Sequence, residues 1–336
     1  MTILLQPARQ DDAEDVPSPP GRRSRTHAGW FARHPEWPVS ALLVLYPLWW
    51  VLGVGTYMFI VLAIPMAVRM YKWHVDRDRV IKLPPGFGLW LLFLIVSVAG
   101  VAVLKLGAPY TIQSPLSNRA IAWAVRIASY GGVTVLLLYV GNLTETEFPR
   151  RRLAWQLGLF ALYAVIGGLG GVVAPHFAFT SPMGLVLPHS VKASTLGQSI
   201  MHPGLAQVSG FGGTARGRPE APFDYTNTWG NAVVLLLPWL AASWWHYGSR
   251  WQRVIAVGAL TVVIVPIVYS QDRGAWIAIV LALAYVAVRL AARGKVVLLG
   301  ILVGGLAVAA LAVFATPLQD VITSKLSNPS SNGIRQ

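Results

Sequence analysis

Long apolar runs alternate with short polar segments along most of the 336-residue chain. Each run is close to the roughly 20 residues that an α-helix needs to cross a bilayer. The runs lie at about 86–104, 119–142, 153–175, 227–246, 252–270, 274–291 and 296–315. Together with the apolar block before them, they predict an all-α, polytopic integral membrane protein with about nine transmembrane helices.

The first apolar block, 39–71, is too long for one membrane span and short for two. Gly53 and Gly55 lie near its middle, where a turn costs little because glycine accepts positive φ. Basic residues flank the block on both sides. The pattern predicts a hairpin of two short helices whose ends both lie on the cytoplasmic side.

The basic residues also indicate the orientation of the later spans. With the N-terminus in the cytoplasm, the clusters at 150–152, 250–253 and 289–295 all fall on the cytoplasmic side, as the positive-inside rule expects. Residues 1–37 then form a disordered cytoplasmic tail, and 38–315 form the transmembrane helical domain with a long external loop at about 176–226. Residues 316–336 are expected to begin a large external loop that is cut short. The predicted location is the plasma membrane.

Composition excludes several classes of protein. Hydrophobic residues make up 55% of the chain and charged residues 12%, which is about half the charged fraction of a soluble domain. The net charge of +14 comes from short clusters between apolar runs, so it fits membrane topology better than nucleic-acid binding. The chain has no cysteine and no nucleotide or metal-binding signature, so we expect no metal and no cofactor. Asp76 and Asp78 resemble a metal-binding pair, but a solvated loop explains them better.

Arginines on the predicted outer side need an explanation. Arg216 and Arg218 precede the span at 227, and Arg273 stands at the mouth of the span at 274. An arginine in or near hydrocarbon costs about 2.5–3.5 kcal/mol. The cost is offset by snorkelling to the interface, by an ion pair with a nearby carboxylate, or by an anionic ligand such as a diphosphate, which the guanidinium fork binds well. The carboxylates available for an ion pair are those of Asp272, Asp224 and Glu220.

Two further features surround these arginines. Asn227 or Thr228 is a predicted N-cap, which would point a helix N-terminus outward and favour anions. The glycine-rich stretch 167–171 predicts a face on which helices pack closely.

Three short motifs resemble the O-antigen ligase and polysaccharide polymerase superfamily of multi-spanning glycan transferases. In the first, an arginine precedes a small residue, an aromatic and an asparagine that opens a helix; Thr226 stands where the family usually has proline. In the second, an Arg-Gly step opens a span; Asp272 stands where serine is common. The third resembles the segment that opens the family's large external loop. The matching residues are Arg218, Ala221, Phe223, Tyr225 and Asn227; Ser270, Arg273, Gly274, Ala275 and Trp276; and 330–335 with Arg335.

The resemblance implies metal-independent transfer of a glycan from a polyprenyl-diphosphate carrier to a glycan or lipid acceptor at the outer face of the membrane. Arg218 and Arg273 would then be catalytic. Arg216, Tyr225, Asn227 and Arg335 would bind the diphosphate or the lipid-linked glycan. Membrane lipids are the other expected partners, and no nucleic acid is expected.

The family's large loop normally carries a histidine implicated in catalysis, and this chain ends where that loop begins. His176, His189 and His202 lie in a different loop and are interpreted as ordinary loop residues. Asp272, Asp224 and Glu220 are candidate general bases. Two alternatives stay open: a transporter or flippase for a lipid-linked or anionic substrate, which Arg126 within a span would favour, and an inactive fragment of the transferase.

Overall fold

A computed structural model of the protein describes residues 34–77, 79–106, 115–187, 192, 195–208 and 217–314. The described chain is predominantly α-helical, and its two strands have two residues each. This helical content confirms the all-α fold class, and five helical segments are long and apolar enough to cross a membrane. They are Gly55–Val75, Leu116–Asn142, Arg150–Val173, Arg250–Ser270 and Arg273–Ala292.

The helices follow the apolar runs closely. Five of them begin and end within about three residues of the predicted runs, because long apolar segments bounded by polar residues define both ends. In chain order the elements are α1 (Trp37–Val44), α2 (Tyr46–Val51), α3 (Met58–Arg77), α4 (Phe87–Ala99), α5 (Leu116–Asn142), α6 (Arg150–Val173), α7 (Met183–Val186), α8 (Thr195–Met201), β1 (Ala206–Gln207), β2 (Arg218–Pro219), α9 (Thr226–Tyr247), α10 (Arg250–Val262), α11 (Ile264–Ser270), α12 (Arg273–Ala292) and α13 (Val296–Phe314).

The N-terminal apolar block contains the predicted turn, at Gly53, where φ is +83°. A Cβ there would come within 2.4 Å of the Ile200 carbonyl oxygen, so the position needs glycine for space as well as for backbone conformation. The two arms are unequal, however, since α1 and α2 are short and α3 continues to Arg77. Asp76 therefore lies in the last turn of α3, so the predicted loop is wrong at this residue; Asp78 lies outside the described residues.

The largest core forms where α6 packs against α9. Trp229 and Leu240 of α9 are fully buried against Ala164 and Val165 of α6. The Trp229 indole N–H donates to the Ala164 carbonyl at 2.9 Å, which satisfies its polar atom inside the core. This pairing sets α6 and α9 antiparallel and brings the end of α6 beside the start of α9.

A second core joins α1, α3 and α5. Met66, Trp73 and Tyr139 are buried there, and the Trp73 and Tyr139 rings stack with centroids 5.2 Å apart. Leu157 and Phe160 of α6 contact both cores. Helix α6 therefore stands between the two halves of the bundle.

Basic segments gather at one end of this bundle. Arg152 in the first turn of α6 pairs with Glu36, just before α1, at 2.7 Å. Arg79, after α3, pairs with Glu147 at 3.2 Å. Arg151 contacts the last turn of α9. Two basic segments that are distant in the sequence thus share one end of the bundle with the last turn of α9, and the 217–226 segment before α9 lies at the opposite end.

Several helices leave most of their apolar side chains exposed. On α12, Ile277, Val280 and Leu281 are each more than 60% exposed. Helix α5 shows the same character, since only a small share of its apolar window is buried. Continuous exposed apolar surface of this extent is typical of a protein whose solvent is lipid.

Candidate functional site

The segment that precedes α9 lies directly on α6. Strands β1 and β2 pair antiparallel, with Gln207 opposite Arg218. A Cβ on Gly171 would come within 2.4 Å of the Leu205 carbonyl oxygen, and one on Gly167 within 2.3 Å of the Ala221 carbonyl oxygen. The glycine face of α6 therefore serves close packing, as predicted, but chiefly against the backbone of this segment rather than against another helix.

Arg218 extends from β2 toward the turn between α11 and α12. Its Nε donates to the Ser270 carbonyl oxygen at 2.7 Å, and Nη2 donates to Asn227 Oδ1 at 3.2 Å. No salt bridge to Arg218 occurs among the described residues. The cost of burying this arginine is thus offset by hydrogen bonds to a carbonyl and an amide. Because no carboxylate among the described residues contacts the guanidinium, its positive charge is suited to binding an anion.

Burial shapes the electrostatics of this arginine. Its pKa is lowered from the ordinary value by burial, while the nearby Asp272 carboxylate acts in the opposite direction. A guanidinium remains charged despite such a shift. A half-buried cation of this kind interacts more strongly with an incoming anion than a fully solvated one does.

Asp272 caps α12. Its Oδ1 accepts from the Gly274 and Ala275 backbone N–H groups at 3.0 and 3.3 Å. Its Oδ2 is buried and has no hydrogen-bond partner among the described residues. Gly230 of α9 makes room for it, since a Cβ there would lie 2.6 Å from Oδ2. Asp272 is therefore a helix cap with one oxygen still able to accept a hydrogen bond.

The structure also shows where the second predicted arginine lies. Arg273 is the first residue of α12 and is half-buried, as expected for the mouth of that helix. Because Arg218 bonds to Ser270, three residues before Arg273, the two arginine motifs meet at the same turn. The sequence separation between Arg218 and Ser270 is 52 residues.

The start of α9 differs from the prediction. The N-cap position is Tyr225, without a side-chain cap, so the N-cap prediction of Asn227 or Thr228 is wrong. Asn227 lies one position inside the helix and accepts from Arg218 instead. The hydrogen bond with Arg218, which reaches Asn227 from β2, thus takes the place of the predicted capping bond to the backbone of α9.

Thr226, which the sequence analysis noted only as a departure from the family's usual proline, is a residue of the site. It is fully buried, and its Oγ1 lies 3.3 Å from Gln207 Oε1 and 3.2 Å from the Arg218 carbonyl oxygen. Through these contacts the first residue of α9 joins both strands. The side chain of Tyr225, in contrast, is exposed and borders the site.

Two carboxyl groups lie on the same segment. Burial raises the pKa of Glu220 to about 8, and Asp224 contributes in the same direction. Burial also raises the pKa of Asp224, although a hydrogen bond from Thr56 opposes the rise. Glu220 therefore holds a proton near neutral pH and releases it within about a unit of that range, which suits proton transfer.

The remaining predicted residues divide into two groups. Arg216, Arg335 and His189 lie outside the described residues. His176 and His202 are exposed, and within the described chain neither bonds to Arg218 or Asn227. In that same part of the chain no group of three acidic or histidine side chains could share a metal ion.

Comparison of the chain with protein-family models, with curated proteins and with solved structures gives no match. The resemblance drawn from the three motifs stays a prediction. The site is thus defined by its geometry alone: an arginine, two helix N-termini and two half-buried carboxyls at one end of an apolar bundle.

Proposed function

We propose that the protein is a membrane glycosyltransferase of the O-antigen ligase and polymerase kind. It moves a glycan from a polyprenyl-diphosphate carrier to a glycan or lipid acceptor at the outer face of the plasma membrane. One observation carries the proposal: the Arg218 guanidinium donates a hydrogen bond to Ser270, in the turn just before α12, whose first residue is Arg273. Two motifs of the resemblance, far apart in sequence, therefore supply one cationic site.

The topology is part of the proposal. Nine spans with a cytoplasmic N-terminal tail place the basic end of the bundle inside and the Arg218 end outside. The ion pairs of Arg152 with Glu36 and of Arg79 with Glu147 support a single basic end. Arg218 lies at the other end of the bundle, beside the C-terminal end of α6 and the N-terminal end of α9. A lipid-linked donor would present its diphosphate at that end.

The chemistry follows from charge. The bond between the sugar's anomeric carbon and the diphosphate oxygen breaks, and a bond from that carbon to the acceptor hydroxyl oxygen forms. Negative charge increases on the leaving diphosphate, where Arg218 and Arg273 stabilise it. The acceptor's proton goes to a base, for which the candidates are Asp272, Asp224 and the deprotonated form of Glu220. The diphosphate linkage of the donor already supplies the free energy for the transfer.

The proposal predicts that Arg218→Ala and Arg273→Ala each reduce glycan transfer by at least about tenfold, because each removes a charge-assisted contact worth about 1.5–3 kcal/mol. Arg250→Ala is the matched control, since Arg250 is exposed at the start of α10, at the basic end. The measurement is glycan transferred per molecule of membrane-inserted protein. Transfer at the parental rate in both site variants would show that these arginines have another role.

A transporter would use the same cations without bond formation. The residue that would favour it, Arg126, is exposed on α5 rather than enclosed between packed helices. Within the part of the chain that the structure describes, no specific contact therefore favours transport over transfer.

A further inference from the structure

The basic end of the bundle contains a cavity that the proposed transfer reaction does not use. Its volume is about 350 Å³. It opens where the first turn of α6 meets the last turn of α9 and the start of α10. Its lining residues are Pro149, Arg151, Arg152, Trp155, Tyr247 and Gln252.

The two lining arginines differ in what they contact. Arg152 is bound to the Glu36 carboxylate at 2.7 Å, so its charge is already compensated. Arg151 forms no salt bridge among the described residues. Its guanidinium instead stacks 5.2 Å from the Tyr247 ring centroid and donates to the Tyr247 carbonyl at 3.3 Å. Arg151 thus brings to the cavity a positive charge that no carboxylate among the described residues compensates, and its guanidinium lies against the Tyr247 ring.

The aromatic walls of the cavity indicate which kind of anion would bind beside Arg151. Trp155, part of the lining, stacks against Trp244 beneath it, with centroids 6.4 Å apart. Tyr247 of the lining is more than half exposed, as are Trp245 in the last turns of α9 and Trp251 in the first turn of α10. Exposed tryptophan and tyrosine at a helix end mark the level of lipid headgroups. A soluble anion would gain nothing from these apolar walls, whereas a lipid would.

We propose that this cavity binds the phosphate of an anionic phospholipid headgroup, with Arg151 as its cation and the aromatic wall beside the glycerol and upper acyl chains. Basic pockets between transmembrane helices bind acidic lipids in this way. The site is separate from Arg218, since α6 and α9 run between them over about 30 Å at 1.5 Å per residue. The proposal does not depend on the proposed glycan transfer.

Native mass spectrometry of the full chain tests this with Arg151→Ala and the matched control Arg150→Ala. Arg150 is a neighbouring arginine of the same helix turn, but it is 94% exposed at its side chain, pairs with Glu145 and does not line the cavity. We expect bound phosphatidylglycerol to fall about tenfold or more in Arg151→Ala and to stay at the parental level in Arg150→Ala. Phosphatidylcholine should bind the parental protein weakly.

Three results would overturn the proposal. Equal loss in the two variants would mean that general surface charge attracts the lipid. Equal binding of phosphatidylcholine and phosphatidylglycerol would mean that the headgroup charge is not recognised. Displacement of phosphatidylglycerol by millimolar inorganic phosphate would assign the site to a soluble anion. Arg151→Lys keeps the charge and removes the guanidinium plane: intermediate retention of the lipid supports a stacked guanidinium, and full loss would be a fourth contrary result, because a charge-based site should retain some binding.

Discussion

The glycine face of α6 gives a prediction that does not depend on function. Replacing Gly171 by alanine would place a Cβ within 2.4 Å of the Leu205 carbonyl oxygen and 3.0 Å of Pro219 Cα. Both are backbone atoms, one in the residue before β1 and the other in β2, so no flexible side chain can move aside. Inserting a methyl group into such a tight contact costs about 1–3 kcal/mol, and the upper part of that range applies when backbone must move.

The same substitution also brings a gain. Alanine is favoured over glycine in a helix by about 1 kcal/mol. The net result expected for Gly171→Ala is a loss of about 1–2 kcal/mol. Gly131, on α5, is the matched control because a Cβ there meets nothing within 4 Å and the position is exposed. Gly131→Ala should therefore be neutral or stabilising by up to about 1 kcal/mol.

Thermal unfolding in one detergent at one heating rate compares the two variants. We expect the apparent Tm of Gly171→Ala to fall and that of Gly131→Ala to stay or rise, so the two shifts differ in sign. A fixed heating rate matters because unfolding of a large membrane protein is often irreversible. Equal shifts in the two variants would refute the close approach of the β1–β2 segment to α6.

Other predictions concern the core and the half-buried Glu220. Trp229→Phe should destabilise the protein by about 1–3 kcal/mol, since it removes the buried indole N–H bond to the Ala164 carbonyl and leaves part of the volume of a fully buried ring unfilled. Chemical denaturation measures the loss, and an unchanged midpoint would contradict the α6–α9 packing. Glu220 has a pKa raised to about 8, so the folded state holds a proton that the unfolded state has lost between about pH 4.5 and 8. Stability should therefore fall as pH rises through that window. Glu220→Gln should flatten this dependence, whereas the same slope in both proteins would show that Glu220 titrates normally.

Much of the helical architecture was predictable from the sequence. Apolar runs bounded by arginine and lysine place the ends of α5, α6, α9, α12 and α13 within a few residues. The breaks inside apolar segments were not predictable in this way. Val263 separates α10 from α11, and Leu45 separates α1 from α2. Hydropathy does not change at these positions, so periodicity carries no signal there.

For the candidate site, the residues could be predicted from the sequence but their arrangement could not. Arg218, Arg273 and Asn227 could be identified from their positions next to apolar runs. Their arrangement could not, because it depends on contacts between residues far apart in sequence. The bond from Arg218 to Ser270, the buried Thr226 and the room that Gly230 gives Asp272 all arise from the packing of α9 against the α11–α12 turn. A local rule instead predicted a cap at Asn227.

Reconstitution of the full chain in vesicles that contain a polyprenyl-diphosphate-linked glycan and an acceptor tests the proposed transferase activity. We expect a covalent glycan–acceptor product and free polyprenyl diphosphate from the parental protein and from Arg250→Ala. We expect at least about tenfold less product from Arg218→Ala. Movement of the donor across the bilayer without any covalent product, from a protein whose Arg218 is intact, would contradict the transferase and support a transporter.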